Sequence, residues 1–313
     1  MTSHAIDPEL AAVVPMLPQL DLSDLPSARA SMTALVAQLG TPDATGVRVE
    51  EVSAPGPEGS PDVRMRVYRP ERVAAPAAVY DVHGGGFVLG DLETDHARNL
   101  EFARELGVVV VSVDYRLAPE TPFPGPLEDV YAGLVWTAKN ASELGVDPER
   151  IAVHGVSAGG GLAAGLTLLA RDRGGPSIAF QYLGVPEVDD RLTTPSMTAF
   201  TDTPIWNRSR AVVSWDSYLG AGVPGSDDVS PYAAPARATD LSGLPPAYVS
   251  AMHFDPLRDE GIAYALALLA AGVTVELHLF PGTFHGSGLA RHAAVSQREH
   301  AEATAVLARA LRL

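Results

Sequence analysis

The first 45 residues carry apolar side chains at helical spacing: Leu10, Val13, Val14 and Leu17, then Met32, Leu35, Val36 and Leu39. Pro8, Pro15, Pro18 and Pro26 interrupt them. A proline inside a helix removes a backbone donor and clashes with the preceding turn, so the spacing predicts short helices in place of one long one. At Gly46 the period changes. Val47, Val49 and Val52, then Val63, Met65 and Val67 with Arg64 and Arg66 between them, flank the turn-rich Ala54-Pro55-Gly56-Pro57-Glu58-Gly59. A period of two on both sides of a turn predicts an antiparallel strand pair.

Further on, the apolar runs become continuous, as in strands covered on both faces. They are Ala77 to Val82, Val108 to Val113, Ile151 to Val153, Ile178 to Leu183, Ala247 to Ala251 and Val273 to Phe280, with helical patterns between several of them. Strands alternating with helices predict right-handed crossovers, a mainly parallel sheet, and a ligand site at the carboxyl ends of the strands. Pro186 to about Asp240 breaks this rhythm with many Pro, Asp, Thr and Ser residues and irregularly spaced Phe200, Trp206, Trp215 and Tyr218. That is long for a plain loop, so a mostly helical insertion over the sheet end is expected, its aromatics forming its own core.

Composition narrows the chemistry. With no cysteine in 313 residues, thiolate nucleophiles, disulfides, zinc–thiolate sites and iron–sulfur clusters are excluded. The formal charge of −16 repels phosphate backbones and anionic lipid, and the 22 Lys and Arg residues are scattered singly, so neither nucleic acid nor a membrane surface is an expected partner. The apolar stretch Ile262 to Val275 is too short to span a bilayer, and the N-terminus lacks a basic region followed by an apolar core. A cytoplasmic protein is expected.

The most informative segment is Ile151-Ala-Val-His-Gly155-Val-Ser157-Ala-Gly159-Gly-Gly161, a strand, then Gly-x-Ser-x-Gly, then a helix start. A serine on so sharp a turn has its hydroxyl held out at the sheet edge, with Gly155 and Gly159 relieving the tight backbone. The absence of a following Gly-Lys-Ser/Thr excludes a phosphate loop. A nucleophilic serine needs an oxyanion hole, a base and an acid. His83-Gly84-Gly85-Gly86-Phe87, at the end of a strand, supplies glycines that can aim N–H groups at developing charge, with the Ala158 N–H as a further donor. His83 is read as shaping that loop. Of nine histidines, His285 stands just after the last strand, where a base can reach Ser157; His4, His278, His292 and His300 are read as structural, and His154 and His253 as packed near the site. Asp255 follows the strand Ala247 to Ala251 and is the acid candidate, with capping of the helix opened by Pro256 as its other reading. Asp259 is the backup acid, expected instead to pair with backbone or Arg258.

Taken in order, His-Gly-Gly-Gly-Phe at His83, Asp-Tyr-Arg-Leu-Ala-Pro-Glu at Asp114 to Glu120, Gly-x-Ser-Ala-Gly-Gly at Gly155, Asp-Pro-Leu-x-Asp at Asp255 and the late His285 make the chain resemble the bacterial hormone-sensitive-lipase-like carboxylesterases of the α/β-hydrolase superfamily. The resemblance covers about residues 78 to 290. It implies an α/β-hydrolase fold with an eight-stranded, mainly parallel sheet flanked by helices. The catalytic domain would comprise residues 46–185 and 241–313, with a helical cap from residues 1–45 and 186–240. It also implies a small-molecule ester substrate, no cofactor or metal, the triad Ser157, Asp255 and His285, and oxyanion donors Gly85, Gly86 and Ala158. Short- to medium-chain acyl esters are the expected substrates. An amidase or carbamate hydrolase with the same triad, or a ligand receptor on this fold, are the alternatives. A homodimer through the last strand and terminal helix is a family expectation. One position departs: where the family carries an acid before the serine, this chain has Val156.

Overall fold

The expected antiparallel pair opens an eight-stranded sheet in a computed structural model that describes residues 4–17, 21–38 and 40–313. Pro18 and Leu39 of the expected N-terminal helices lie outside these residues. The strands are β1 (Val47–Ala54), β2 (Val63–Pro70), β3 (Ala78–Val82), β4 (Val109–Asp114), β5 (Ile151–Val156), β6 (Phe180–Gly184), β7 (Ala247–Phe254) and β8 (Val275–Phe284). They lie in the order β1-β2-β4-β3-β5-β6-β7-β8. β2 runs antiparallel to both β1 and β4, and every later pairing is parallel.

Helices α1 (Pro8–Ala11) and α2 (Leu25–Gln38) precede the sheet. Within it come α3 (His96–Leu106), α4 (Gly125–Lys139), α5 (Ala141–Leu144), α6 (Ala158–Arg173), α7 (Pro195–Ala199), α8 (Arg208–Leu219), α9 (Arg258–Ala270) and α10 (Ala294–Ala310). The alternation of side chains along each strand divides the core in two. Tyr80, Val82, Val111, Val113 and Val153 point to the face covered by Leu127 and Val130 of α4 and Leu162 and Leu166 of α6. Val79, Val110, Ala152, Tyr182 and Tyr248 point to the other face, covered by Leu100 and Phe102 of α3 and Val306 and Leu307 of α10. Each large apolar side chain buried this way contributes about 1.5–3 kcal/mol relative to exposure. Continuous apolar runs follow directly, because a central strand has no solvent face.

The chain order reverses at β3, with β4 on one side and β5 on the other, so the loops after β3 and β5 open beside each other at the carboxyl edge. Residues 186–240 overhang that edge. Their helical content is confined to α7, α8 and a 3₁₀ turn at Pro235–Arg237, less than the mostly helical insertion expected. The reason lies in the residues: Pro204, Pro224 and Pro231 interrupt helices, and polar side chains take over backbone bonding. Buried Asp190 accepts from Arg237 through both oxygens, at 2.5 and 2.8 Å, and from the Gly225 N–H at 2.7 Å. Among the described residues no helix is long and apolar enough to cross a membrane.

Candidate active site

β5 ends at Val156 and α6 begins at Ala158, leaving Ser157 alone between them at φ 61°, ψ −125°. A non-glycine residue there stores on the order of 1–3 kcal/mol of backbone strain and persists only when its surroundings hold it. Here the Ser157 N–H donates to Gly184 O at 2.8 Å, and Ser157 O accepts from the N–H groups of Gly161 and Glu187 at 3.0 and 3.1 Å. Gly155 lies in register with Val82 and Leu183 at the end of β5. A Cβ on Gly159 would fall 2.1 Å from Val82 O, so α6 docks on the end of β3 only with glycine at that place.

β7 and β8 are parallel neighbours with Phe254 opposite Phe284, so the next residues in the chain, Asp255 and His285, emerge side by side. His285 Nδ1 lies 2.7 Å from Asp255 Oδ2, and His285 Nε2 lies 2.9 Å from Ser157 Oγ. A carboxylate accepts only, so Nδ1 carries the ring proton and Nε2 is free to accept from the serine hydroxyl. All three residues are buried, Asp255 completely. Asp255 Oδ1 also accepts the Leu257 N–H at 2.9 Å. The residue flanking α9 is Leu257, so the expected capping by Asp255 is corrected to a bond that closes the turn ahead of the helix, because Pro256-Leu257 forms that turn. Asp259 accepts from Arg258 Nε and from the Ser196 N–H, both at 2.7 Å, and stays out of the triad.

The loop after β3 runs through left-handed backbone at Gly85, Gly86 and Phe87. Among the described residues, the N–H groups of Gly85, Gly86 and Ala158 have no protein acceptor. Ala158 is the first residue of α6, whose opening donors have no intrahelical partner. His83 Nδ1 donates to Gly84 O at 2.8 Å, and its ring stacks on Tyr115 at 4.2 Å, fixing the loop as expected. The Tyr115 hydroxyl donates to His83 O at 2.9 Å. Arg29 of α2 donates to Val88 O and Ala118 O and forks onto Glu120. Thus the Asp114–Glu120 motif and α2 brace the glycine loop from behind.

Two aromatics of residues 186–240 pack inward, in the main core and not in a core of the insertion's own: Trp215 and Tyr218 lie against Phe87 of the glycine loop, the latter stacked at 4.1 Å. Trp206 does not. Its ring sits 5.7 Å from that of His285, and a Cβ on Gly86 would meet its Cη2 at 2.5 Å, so it closes over the base and the glycine loop. Ser214 of α8 donates to Gly86 O at 2.9 Å. Glu187, fully buried, has neither carboxyl oxygen in a hydrogen bond. Burial pushes its carboxyl up to about 8, the Ser214 hydroxyl pulls it down and the Asp255 charge adds to the rise. Sequence reading assigned Trp206 to the insertion's own core and passed over Ser214 and Glu187; an acid in the apolar run Leu183-Gly-Val-Pro-Glu187-Val was the available signal for the last.

His154 is packed without reacting, as expected, but away from the site: it bonds Asp81 at 2.7 Å among Phe102 and Tyr182, on the sheet face covered by α3 and α10. His253 stacks on Phe254 at 4.2 Å. Val156 packs with Val185, Met252 and Phe280 in a small apolar cluster.

Residues 79–288 match the family described as having the alpha/beta hydrolase fold. The chain is 46% identical over 248 residues to carboxylesterase NlhH of Mycobacterium tuberculosis, covering 77% of this chain and 75% of that one. It is 39% identical over 288 residues to esterase LipI of the same organism, covering 90% and 88%. Among solved structures, a bacterial heroin esterase superposes with a TM-score of 0.96 at 56% identity, covering 99% of each chain.

Proposed function

The chain belongs to the hormone-sensitive-lipase-like branch of the α/β-hydrolase family and is a carboxylic ester hydrolase; from this we propose that it cleaves short- to medium-chain acyl esters through Ser157, His285, Asp255 and an acyl-enzyme. The observation that carries the reading is the unbroken chain of short contacts from Asp255 Oδ2 through His285 to Ser157 Oγ, at 2.7 and 2.9 Å.

In the first step His285 Nε2 takes the Ser157 proton as Oγ bonds to the ester carbonyl carbon. The negative charge moves to the carbonyl oxygen and meets the N–H groups of Gly85, Gly86 and Ala158. Donors already in place cost no reorganisation as charge develops, and each is worth about 3–4 kcal/mol. Asp255 holds the imidazole in the required tautomer and stabilises the imidazolium. When the tetrahedral intermediate collapses, the alkoxy C–O bond breaks and His285 gives its proton to the leaving alcohol. Water, deprotonated by the same His285, then attacks the acyl group and releases the acid and Ser157. Residues 1–45 and 186–240 act as a cap, a role supported by the Trp206 and Ser214 contacts and by Arg29.

Ser157→Ala removes the atom that forms the acyl bond and is expected to abolish turnover of short-chain aryl esters, and of heroin if that is also a substrate, while leaving the fold intact. Retained turnover by the folded variant would overturn the assignment.

A further inference from the structure

Trp206 lies between α7 and α8, over the carboxyl edge of the sheet, and the acyl-transfer steps give it no role. Its distal edge faces the oxyanion loop: a Cβ on Gly86 would meet Cη2 at 2.5 Å and Cζ3 at 3.2 Å. The same ring lies 5.7 Å from the His285 imidazole, tilted by 33°. Ile205 closes the same side, since a Cβ on Gly286, the residue after the base, would meet its Cδ1 at 3.1 Å. Ile205 holds φ at 60°, which a β-branched residue keeps only where its surroundings impose it. Three bonds impose it here: Arg210 donates to Ile205 O, the Trp206 N–H donates to Pro204 O at 2.6 Å, and the Thr203 hydroxyl donates to Trp206 O at 2.7 Å. With Trp206 in this place Ser157 and His285 are each only 6% exposed.

The position of the ring decides which part of an ester it meets. The carbonyl oxygen sits at the N–H groups of Gly85, Gly86 and Ala158, and the leaving oxygen must lie within reach of His285 Nε2, which protonates it. The alcohol beyond that oxygen therefore runs along the side that His285 occupies, and the acyl chain leaves the carbonyl carbon away from it. Resting on the Ser157 site reading, we infer that Trp206 is a specificity-determining residue: its indole walls the alcohol subsite and limits the bulk of the alcohol. Among the described residues the indole N–H has no acceptor, so Trp206 brings shape to the subsite and its removal orphans no partner. Asp21, Leu22, Asn207, Arg210 and Val213 line a pocket of about 430 Å³. Asn207 follows Trp206 in the chain and Arg210 holds Ile205 O, so this pocket borders the turn that carries the ring. A shorter side chain at 206 lets a broad alcohol extend toward it.

The test is kcat/KM of the wild type, W206A and W206F on two series: acetate esters of ethanol, cyclohexanol and 2-naphthol, and ethyl esters of acetic, butyric and hexanoic acid. Each variant is compared with the wild type on the same ester, which removes intrinsic reactivity. W206A is expected to gain roughly tenfold on the cyclohexyl and 2-naphthyl acetates relative to ethyl acetate, and to leave the acyl series within about twofold. Phenylalanine keeps a ring but lacks the Cη2–Cζ3 edge that faces Gly86, so W206F is expected to shift the same way by a smaller factor, and it decides the matter should W206A not fold. A gain confined to the acyl series, equal gains in both series, a loss on the broad alcohols, or unmoved ratios in the folded variants would each overturn the inference. Exhaustive fluorophosphonate labelling separates the two claims: absence of an adduct on wild-type Ser157 defeats the site reading, whereas full labelling with unmoved alcohol ratios defeats this inference alone.

Discussion

Replacing Glu187 with glutamine tests the cost of burying this acid without reference to catalysis. The folded state holds its carboxyl at about 8 against an ordinary value of 4.5. Below pH 4.5 both folded and unfolded chains carry the proton and no penalty arises. Between 4.5 and about 8 the unfolded chain releases the proton and the folded chain keeps it, so stability falls as pH rises. At about 1.4 kcal/mol per pH unit the interval amounts to a ceiling of about 5 kcal/mol. Local relaxation and water entry reduce this to about 2–4 kcal/mol. The glutamine side chain has a similar shape and no titration. Urea unfolding of the two proteins across this pH range is therefore expected to give curves that nearly coincide at the acidic end and separate steadily toward pH 8, with E187Q the more stable. Glu260, raised mainly by burial, is common to both proteins, and the Glu187 charge adds to its rise only once Glu187 itself ionises. Parallel curves, or a wild type more stable than E187Q at the alkaline end, would refute the buried neutral acid.

Other substitutions test neighbouring parts of the site. Asp255→Asn puts an amide opposite His285 Nδ1 and favours the wrong tautomer, so kcat is expected to fall about 10⁴-fold with the circular dichroism spectrum unchanged; a loss of only a few-fold would remove Asp255 from the triad. Gly86→Ala forces a Cβ to within 2.5 Å of Trp206 at a left-handed φ of 58°. It is expected to lower kcat about 10²–10³-fold in steady-state assays, and wild-type kcat would argue against Gly86 as an oxyanion donor. Trp215→Ala empties a fully buried site beside Phe87 and Tyr218 and is expected to cost about 3–5 kcal/mol in chemical denaturation.

Much of this arrangement was legible in the chain. The six continuous apolar runs became six parallel-sheet strands because a two-sided burial requirement leaves a plain mark on composition. Ser157, Asp255 and His285 could be named because each comes directly after a strand, and parallel strands deliver the residues beyond their carboxyl ends to one edge of the sheet. The chemistry brought in by residues 186–240 escaped. Trp206 was grouped with Trp215 and Tyr218, since nothing local distinguishes an aromatic that packs inward from one that reaches His285. Ser214 bonds Gly86 across 128 positions, a contact without a periodic signature. Asp255 reads locally as a helix cap, and only the geometry shows one carboxylate oxygen closing the turn and the other holding His285. The Asp114–Glu120 motif was recognisable before its work was: it braces the glycine loop through Tyr115, Ala118 and Glu120.

The central claim is that one hydroxyl, that of Ser157, attacks the ester. The most direct measurement is labelling of the intact protein with a fluorophosphonate, followed by peptide mapping by mass spectrometry and repeated on Ser157→Ala. One adduct per chain is expected, on Ser157, with loss of esterase activity in proportion to labelling and no adduct on the variant. An adduct on another residue accompanied by full inactivation, or esterase turnover that survives complete labelling of Ser157, would contradict it.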